Sequence, residues 1–120
     1  MNQERMKTEI NNQLKNFSVE GDSATADISF PKTFSGFQGH FPDQPILPGV
    51  CQIRLALVVA ERMRETRLAL SEVINTKFVA MAIPDQLIRV ECRILNDLLY
   101  ATLSSNGDRI AELKLRIQDA

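Results

Sequence analysis

The chain is poor in the side chains that most often hold transition metals: in 120 residues there is one histidine and two cysteines. Cys51 and Cys92 stand far apart with no CxxC pair. A four-ligand Cys/His zinc site cannot be filled from three such residues without carboxylates or a second chain. No metal site is expected, and both cysteines, set among apolar neighbours, read as small buried hydrophobes. An excess of one charge is also missing. Fourteen Lys and Arg face fifteen Asp and Glu, a net charge of −1, which argues against a nucleic-acid partner recruited by phosphate neutralisation. Long hydrophobic runs are absent too. None is longer than the six residues of Leu55 to Ala60, far short of the ~20 residues that span a bilayer. The opening MNQERMKTEI carries early charges and no apolar h-region, unlike a secretory signal. With 44% hydrophobic and 24% charged residues, the composition is that of a globular protein, and one cytoplasmic domain over residues 1–120 with no membrane span is the expectation.

What is present is mostly strand patterning. Ala24, Ala26, Ile28 and Phe30 alternate with polar residues up to Pro31, the mark of a half-buried strand. With Phe17, Val19 and the turn chemistry of Glu20-Gly21-Asp22, residues 14–30 read as a hairpin. Val73 to Ile83 is an apolar, β-branched stretch that predicts a central strand closed by Pro84-Asp85. Ile88, Val90, Cys92 and Ile94 alternate with charged residues, and Leu99, Ala101 and Leu103 continue to Asn106-Gly107-Asp108, a strong hairpin turn. Ala111, Leu113, Leu115 and Ile117 form the last strand. An antiparallel meander is the simplest closure. The N-terminal segment is ambiguous: Met6, Ile10 and Leu14 hint at a helix, whereas Asn11, Asn12 and Gln13 favour no regular element.

One strong helix lies between the strand groups. After Pro48-Gly49 comes GVCQIRLALVVAERMRE, apolar on nearly every face from Ile53 to Ala60, so it must be buried most of the way round. Five or six antiparallel strands wrapped over one central buried helix make an α+β domain. An unpaired sheet edge would want a partner, so a homodimer or a multiple of dimers is expected.

The chemistry concentrates in GFQGHFPDQPILPGV, residues 36–50. Pro42, Pro45 and Pro48 fall three apart, which fits an extended polyproline-like path and forbids helix. This strap ends on Gly49 at a helix N-terminus, where free N–H groups and the positive end of the dipole favour an anion. His40, the sole histidine, stands near its start. An imidazole beside such an end suits general-base chemistry. The plainer alternative is a loop histidine that caps a backbone group.

The same stretch resembles the signature of the 3-hydroxyacyl-acyl-carrier-protein dehydratases, a hotdog-fold family with the motif GHFPxxPxxPG before its central helix. Gly39-His40-Phe41-Pro42, Pro45 and Pro48-Gly49 all match. ILPGVCQ, preceded by FSGFQGHFP, is most similar to the branch serving aryl-polyene and related synthesis. The resemblance implies a hotdog domain in which His40 removes the proton beside a thioester carbonyl. It implies that backbone N–H groups of Gly49 and Val50 hold that carbonyl oxygen, and that Phe41, Ile46 and Leu47 line an acyl tunnel, although core packing would serve each of these three equally well. It further implies an acyl carrier protein or acyl thioester as partner, and phosphopantetheine only as part of the substrate, with no separate cofactor.

One family residue does not transfer. The Glu or Asp normally found fourteen positions after the histidine is Arg54 here, and the amide often found four residues later is Val58. Arginine stays protonated and cannot act as a general acid. Glu61, two turns on and about 10 Å along the axis, is a poor substitute, and the pattern gives Asp43 no catalytic role. Inside an apolar helix, a guanidinium needs a polar cavity, a carboxylate across a dimer, or an outlet to the surface. The implied reaction is elimination of water from a 3-hydroxyacyl thioester. The alternatives are a catalytically impaired accessory subunit that binds acyl thioesters or pairs with an active homologue and, less favoured, a thioesterase.

Overall fold

The computed structural model describes residues 3–37 and 43–120. Helix α1 (Gln3–Gln13) leads into strands β1 (Lys15–Glu20) and β2 (Ser23–Ile28). Helix α2 (Gly49–Arg64) follows, then β3 (Leu68–Phe78), β4 (Ile88–Leu95), β5 (Leu98–Ser105) and β6 (Asp108–Asp119). The six strands form one antiparallel sheet in the order β1-β2-β4-β5-β6-β3. Strands β4, β5 and β6 are the expected meander. The sheet wraps α2, which packs on β2, β3 and β4 and against α1. This is the α+β hotdog arrangement.

Local chemistry accounts for the joins. Asn106 and Gly107 both take positive φ, 51° and 83°, as a two-residue hairpin loop of the type matching strand twist demands. A second turn of this kind, at Asn96 (φ 57°) before Asp97, divides β4 from β5 where the sequence reading ran the pattern on. In β4 every second side chain is buried, Ile88, Val90, Cys92 and Ile94, while Arg89, Glu91 and Arg93 face water. The interior of α2, Leu55 to Ala60, is buried on every face. Each large aliphatic there contributes on the order of 1.5–3 kcal/mol by leaving water. Glu65 ends the helix in a left-handed conformation (φ 54°), its N–H donating to Glu61 O.

Two expectations need correction. The ambiguous N-terminal segment is a helix: Met6 and Ile10 are buried against the core. The asparagine that seemed to oppose helix serves it, because Asn11 Nδ2 donates to Lys7 O at 3.1 Å. Arg62 of α2 donates in turn to Asn11 Oδ1 and to Asn11 O, both at 2.9 Å, tying the two helices together. The stretch Val73–Ile83 is not a central strand. Its strand part belongs to β3, which starts at Leu68, stops at Phe78 and lies at the sheet edge. Val73, Phe78, Val79, Met81 and Ile83 are all exposed. Apolar density alone could not distinguish a buried strand from a surface left uncovered in the single chain.

Both thiols are buried, as expected, and unpaired. Burial, helped by the charge of Glu9, pushes Cys51 from 9.0 up to about 11. Burial alone pushes Cys92 up to about 12. In the unfolded chain these thiols ionise near pH 9 while the folded protein keeps their protons. The unfolded state then binds fewer protons, so stability falls as pH rises above 9, with each thiol steepening the slope by up to ~1.4 kcal/mol per pH unit. Urea melts between pH 8 and 10.5 should show a shallower decline in a Cys51→Ala/Cys92→Ala protein than in the wild type. Equal slopes would show that the thiols are not the groups responsible.

Candidate functional site

The strap and the first turn of α2 are held by backbone and core, not by side-chain caps. On the upstream side, residues 35–37 form a short 3-10 turn. The carboxylate of Glu9 grips it, accepting from Ser35 N at 3.2 Å and from the Ser35 hydroxyl. Phe30, Phe34 and Phe37 stack in sequence beneath. Gly36 has no room for a side chain, since a Cβ there would meet the Phe34 ring and stand 2.7 Å from Cys51 Sγ. Downstream, Leu47 N donates to Ala82 O at 2.7 Å. His40 and Phe41, the candidate base and one candidate tunnel residue, lie outside the described residues, as does Pro42.

Pro48 is the N-cap of α2, with φ −62° and ψ 152°, the polyproline conformation expected of the strap. Its side chain offers no cap hydrogen bond. Its carbonyl accepts from Cys51 N and Gln52 N at 3.0 and 3.2 Å. Gly49 and Val50 precede every N–H that the first turn can satisfy, so they present the donors of an uncapped helix start. Gly49 is closely covered on its Cα side: a Cβ would lie 2.8 Å from the tip of the Phe78 ring.

The structure brings Ile46, Leu47 and Gly49 together around one open cleft of about 370 Å³ that Gln52, Phe78 and Met81 also line. Leu47 is buried and Ile46 half-buried. Ile46 and Met81 also line an adjoining, largely apolar cleft of about 450 Å³, with Asp43 and Lys32 at its polar margin. Val50 is 64% exposed and lines neither cleft. The sequence reading missed Gln52, Phe78 and Met81. A lone carboxamide in an apolar helix was the available signal for Gln52. The other two were hidden inside what looked like a strand.

Arg54 stands elsewhere. Five residues beyond Gly49, it is about 140° round α2 and ~7.5 Å along it. It is half-buried in an open, polar cleft of about 590 Å³ with Lys7, Glu61, Arg67, Leu68 and Leu70. Among the described residues it makes no hydrogen bond or ion pair, so the structural ion pair within one chain is not what keeps it. Glu61 shares this cleft but is fully engaged: one oxygen pairs with Lys7 Nζ at 2.8 Å and the other accepts from Leu68 N at 2.8 Å. It fastens α1 and β3 to α2 and is unavailable as a replacement acid. Val58 is buried core.

Comparison with known proteins adds an independent line. The family model for ApeI-like proteins, described as ApeI dehydratase, matches residues 15–114. A 3-hydroxyacyl-(acyl-carrier-protein) dehydratase, FabZ, of Clostridium acetobutylicum is 32% identical over 66 residues, covering 49% of this chain and 47% of that protein. The chain thus spans about half the length of that curated relative. Among solved structures, the dehydratase heterocomplex ApeI:P from Xenorhabdus doucetiae superposes with a TM-score of 0.79 at 21% identity, covering 87% of this chain and 95% of that one. Cj0977, a sigma28-regulated virulence protein from Campylobacter jejuni, gives a TM-score of 0.70 at 13% identity over 94% and 86% of the two chains. At these identities the two structures share the hotdog fold.

Proposed function

The chain belongs to the ApeI-like dehydratase family, and we propose that it is a hydro-lyase acting on 3-hydroxyacyl thioesters carried on an acyl carrier protein. The observation that carries this reading is the uncapped start of α2 set in the wall of an apolar cleft, directly downstream of the GHFP motif. In the proposed reaction His40 takes the C2 proton. The electron pair left behind moves onto the thioester carbonyl oxygen, which the N–H groups of Gly49 and Val50 and the helix dipole hold as an enolate. That pair then forms the C2–C3 double bond as the C3–O bond breaks, and the hydroxyl departs with a proton as water. The product is a trans-2-enoyl thioester. No separate cofactor enters, and phosphopantetheine arrives with the substrate.

The proposed working unit is a dimer. Strand β3 leaves one edge unpaired over its full length, with Leu70, Val73 and Phe78 exposed, and an open apolar edge of this kind favours pairing with another chain. A dimer would also give Arg54, which lies on the far side of α2 from the Gly49 cleft, a neighbour's site to serve. A second reading, an accessory subunit that binds acyl thioesters or pairs with an active homologue, is favoured by one observation: among the described residues, the two carboxylates near Arg54, Glu4 and Glu61, are each paired with a cation. One solved relative is by its name a heterocomplex, the kind of assembly such a subunit would enter.

Incubating the purified protein with a short panel of 3-hydroxyacyl-carrier-protein thioesters, alongside light scattering, tests both parts. Enoyl thioester formation by a dimer is the expected result. Binding without turnover would favour the accessory subunit, and a monomer at micromolar concentration would defeat a site shared between chains.

A further inference from the structure

Gln52 has the one buried side-chain polar atom without a hydrogen-bond partner among the described residues, its Oε1. The residue is 3% exposed. Its other amide end is committed, because Nε2 donates to Leu47 O at 3.2 Å. A carbonyl oxygen only accepts, so turning the carboxamide over would set two acceptors against each other. The orientation is therefore fixed by its partner, and Oε1 is the atom left waiting. A helix residue of similar length without polar atoms would avoid the penalty of an unpaired buried acceptor. No described residue supplies a donor to Oε1, which leaves it open to one brought by a ligand.

The position narrows what that donor is. Gln52 follows Gly49 by three residues, so the two share a face of α2, and both line the 370 Å³ cleft. Around Gln52 the side chains of that cleft are Ile46, Leu47, Phe78 and Met81, a lining that takes a hydrocarbon chain and offers it a single polar contact. With a thioester carbonyl at the N–H groups of Gly49 and Val50, Gln52 lies about 5 Å further into the fold along the helix. The C3 hydroxyl of an acyl chain, its oxygen three bonds from the carbonyl carbon, falls on that inner side. The pantetheine amides fall on the outer side, where Val50 is exposed.

We propose that Gln52 Oε1 accepts a hydrogen bond from the C3 hydroxyl of the bound acyl chain and makes the cleft selective for 3-hydroxyacyl over saturated acyl groups. This rests on the reading of the cleft as the acyl-thioester site. Gln52 is a specificity and orienting residue in this scheme; a neutral carboxamide donates no proton to the departing hydroxyl.

Calorimetry with two pantetheine ligands of equal chain length, one 3-hydroxyacyl and one saturated, each with an amide in place of the thioester so that neither turns over, tests it. The wild type should bind the hydroxylated ligand about tenfold more tightly, the ordinary worth of one buried hydrogen bond. In Gln52→Met the two ligands should bind within about twofold of each other, with the saturated ligand retained. If that variant does not fold, Gln52→Asn, which keeps the amide but withdraws it by one methylene, must lose the preference instead. Full wild-type preference in the folded variant overturns the assignment and leaves the proposed function standing. Equal weakening of both ligands overturns it in favour of a purely structural tie to Leu47. Failure of the wild type to bind either ligand overturns it together with the acyl-thioester reading of the cleft.

Discussion

Replacing His40 by alanine is expected to lower dehydration by 10² or more while leaving the melting temperature nearly unchanged. A positioned general base contributes about 10²–10⁴ in rate, and His40 is the chain's only histidine, so no neighbouring imidazole can take over. Stability should survive because the anchors on either side of the loop do not involve it. Glu9 holds Ser35 upstream, and Ala82 holds Leu47 downstream. Turnover, circular dichroism and a thermal melt on the same preparation check both halves. A folded His40→Ala protein that keeps wild-type turnover would remove this residue from the mechanism.

Arg54→Glu is expected to raise dehydration, by about 10-fold or more where the rest of the site is intact, since an acid positioned at the leaving hydroxyl is commonly worth 10²–10⁴. In the wild type His40 must both take the C2 proton and return one to the hydroxyl, which predicts slow turnover. The substitution should be tolerated by the fold. Arg54 is half-buried in an open cleft and has no partner among the described residues to strand. Its cleft holds Lys7 and Arg67 but also Glu61 and Glu4, with which they pair, so the melt checks that a third carboxylate there is tolerated. The measurement is turnover with a thermal melt beside it. A wild type as fast as ordinary dehydratases, crippled by Arg54→Glu, would show that the guanidinium itself works in the site. Inactivity of both forms with carrier-protein binding retained would support the accessory subunit.

Much of the architecture was legible because it rests on local rules. Alternation in β2, β4 and β6, the Asn106-Gly107 turn and the all-round apolar stretch of α2 each have a period or a backbone requirement that shows in one dimension. The last step of the strap was legible for the same reason, since Pro48 takes the polyproline conformation that proline favours. Misreadings arose where two physical causes write the same letters. An apolar, β-branched run at 73–83 looks identical whether the sheet buries it or leaves it at an edge. Asn11 looks like a helix breaker until Lys7 O and Arg62 are found within its reach.

The sequence by itself determined the kind of domain, the helix that fills it, and the proline that leads into that helix, because composition, periodicity and residue chemistry are properties of the chain alone. Tertiary structure decided what depends on distance between residues far apart in sequence. It placed β3 at the edge, took Glu61 out of contention by binding it to Lys7 and Leu68, and turned Arg54 away from the Gly49 cleft. It also left Gln52, which lines that cleft, with an Oε1 unpaired among the described residues. Pairing, burial and orientation are settled only when the sheet closes over α2, and no spacing within the chain can announce them.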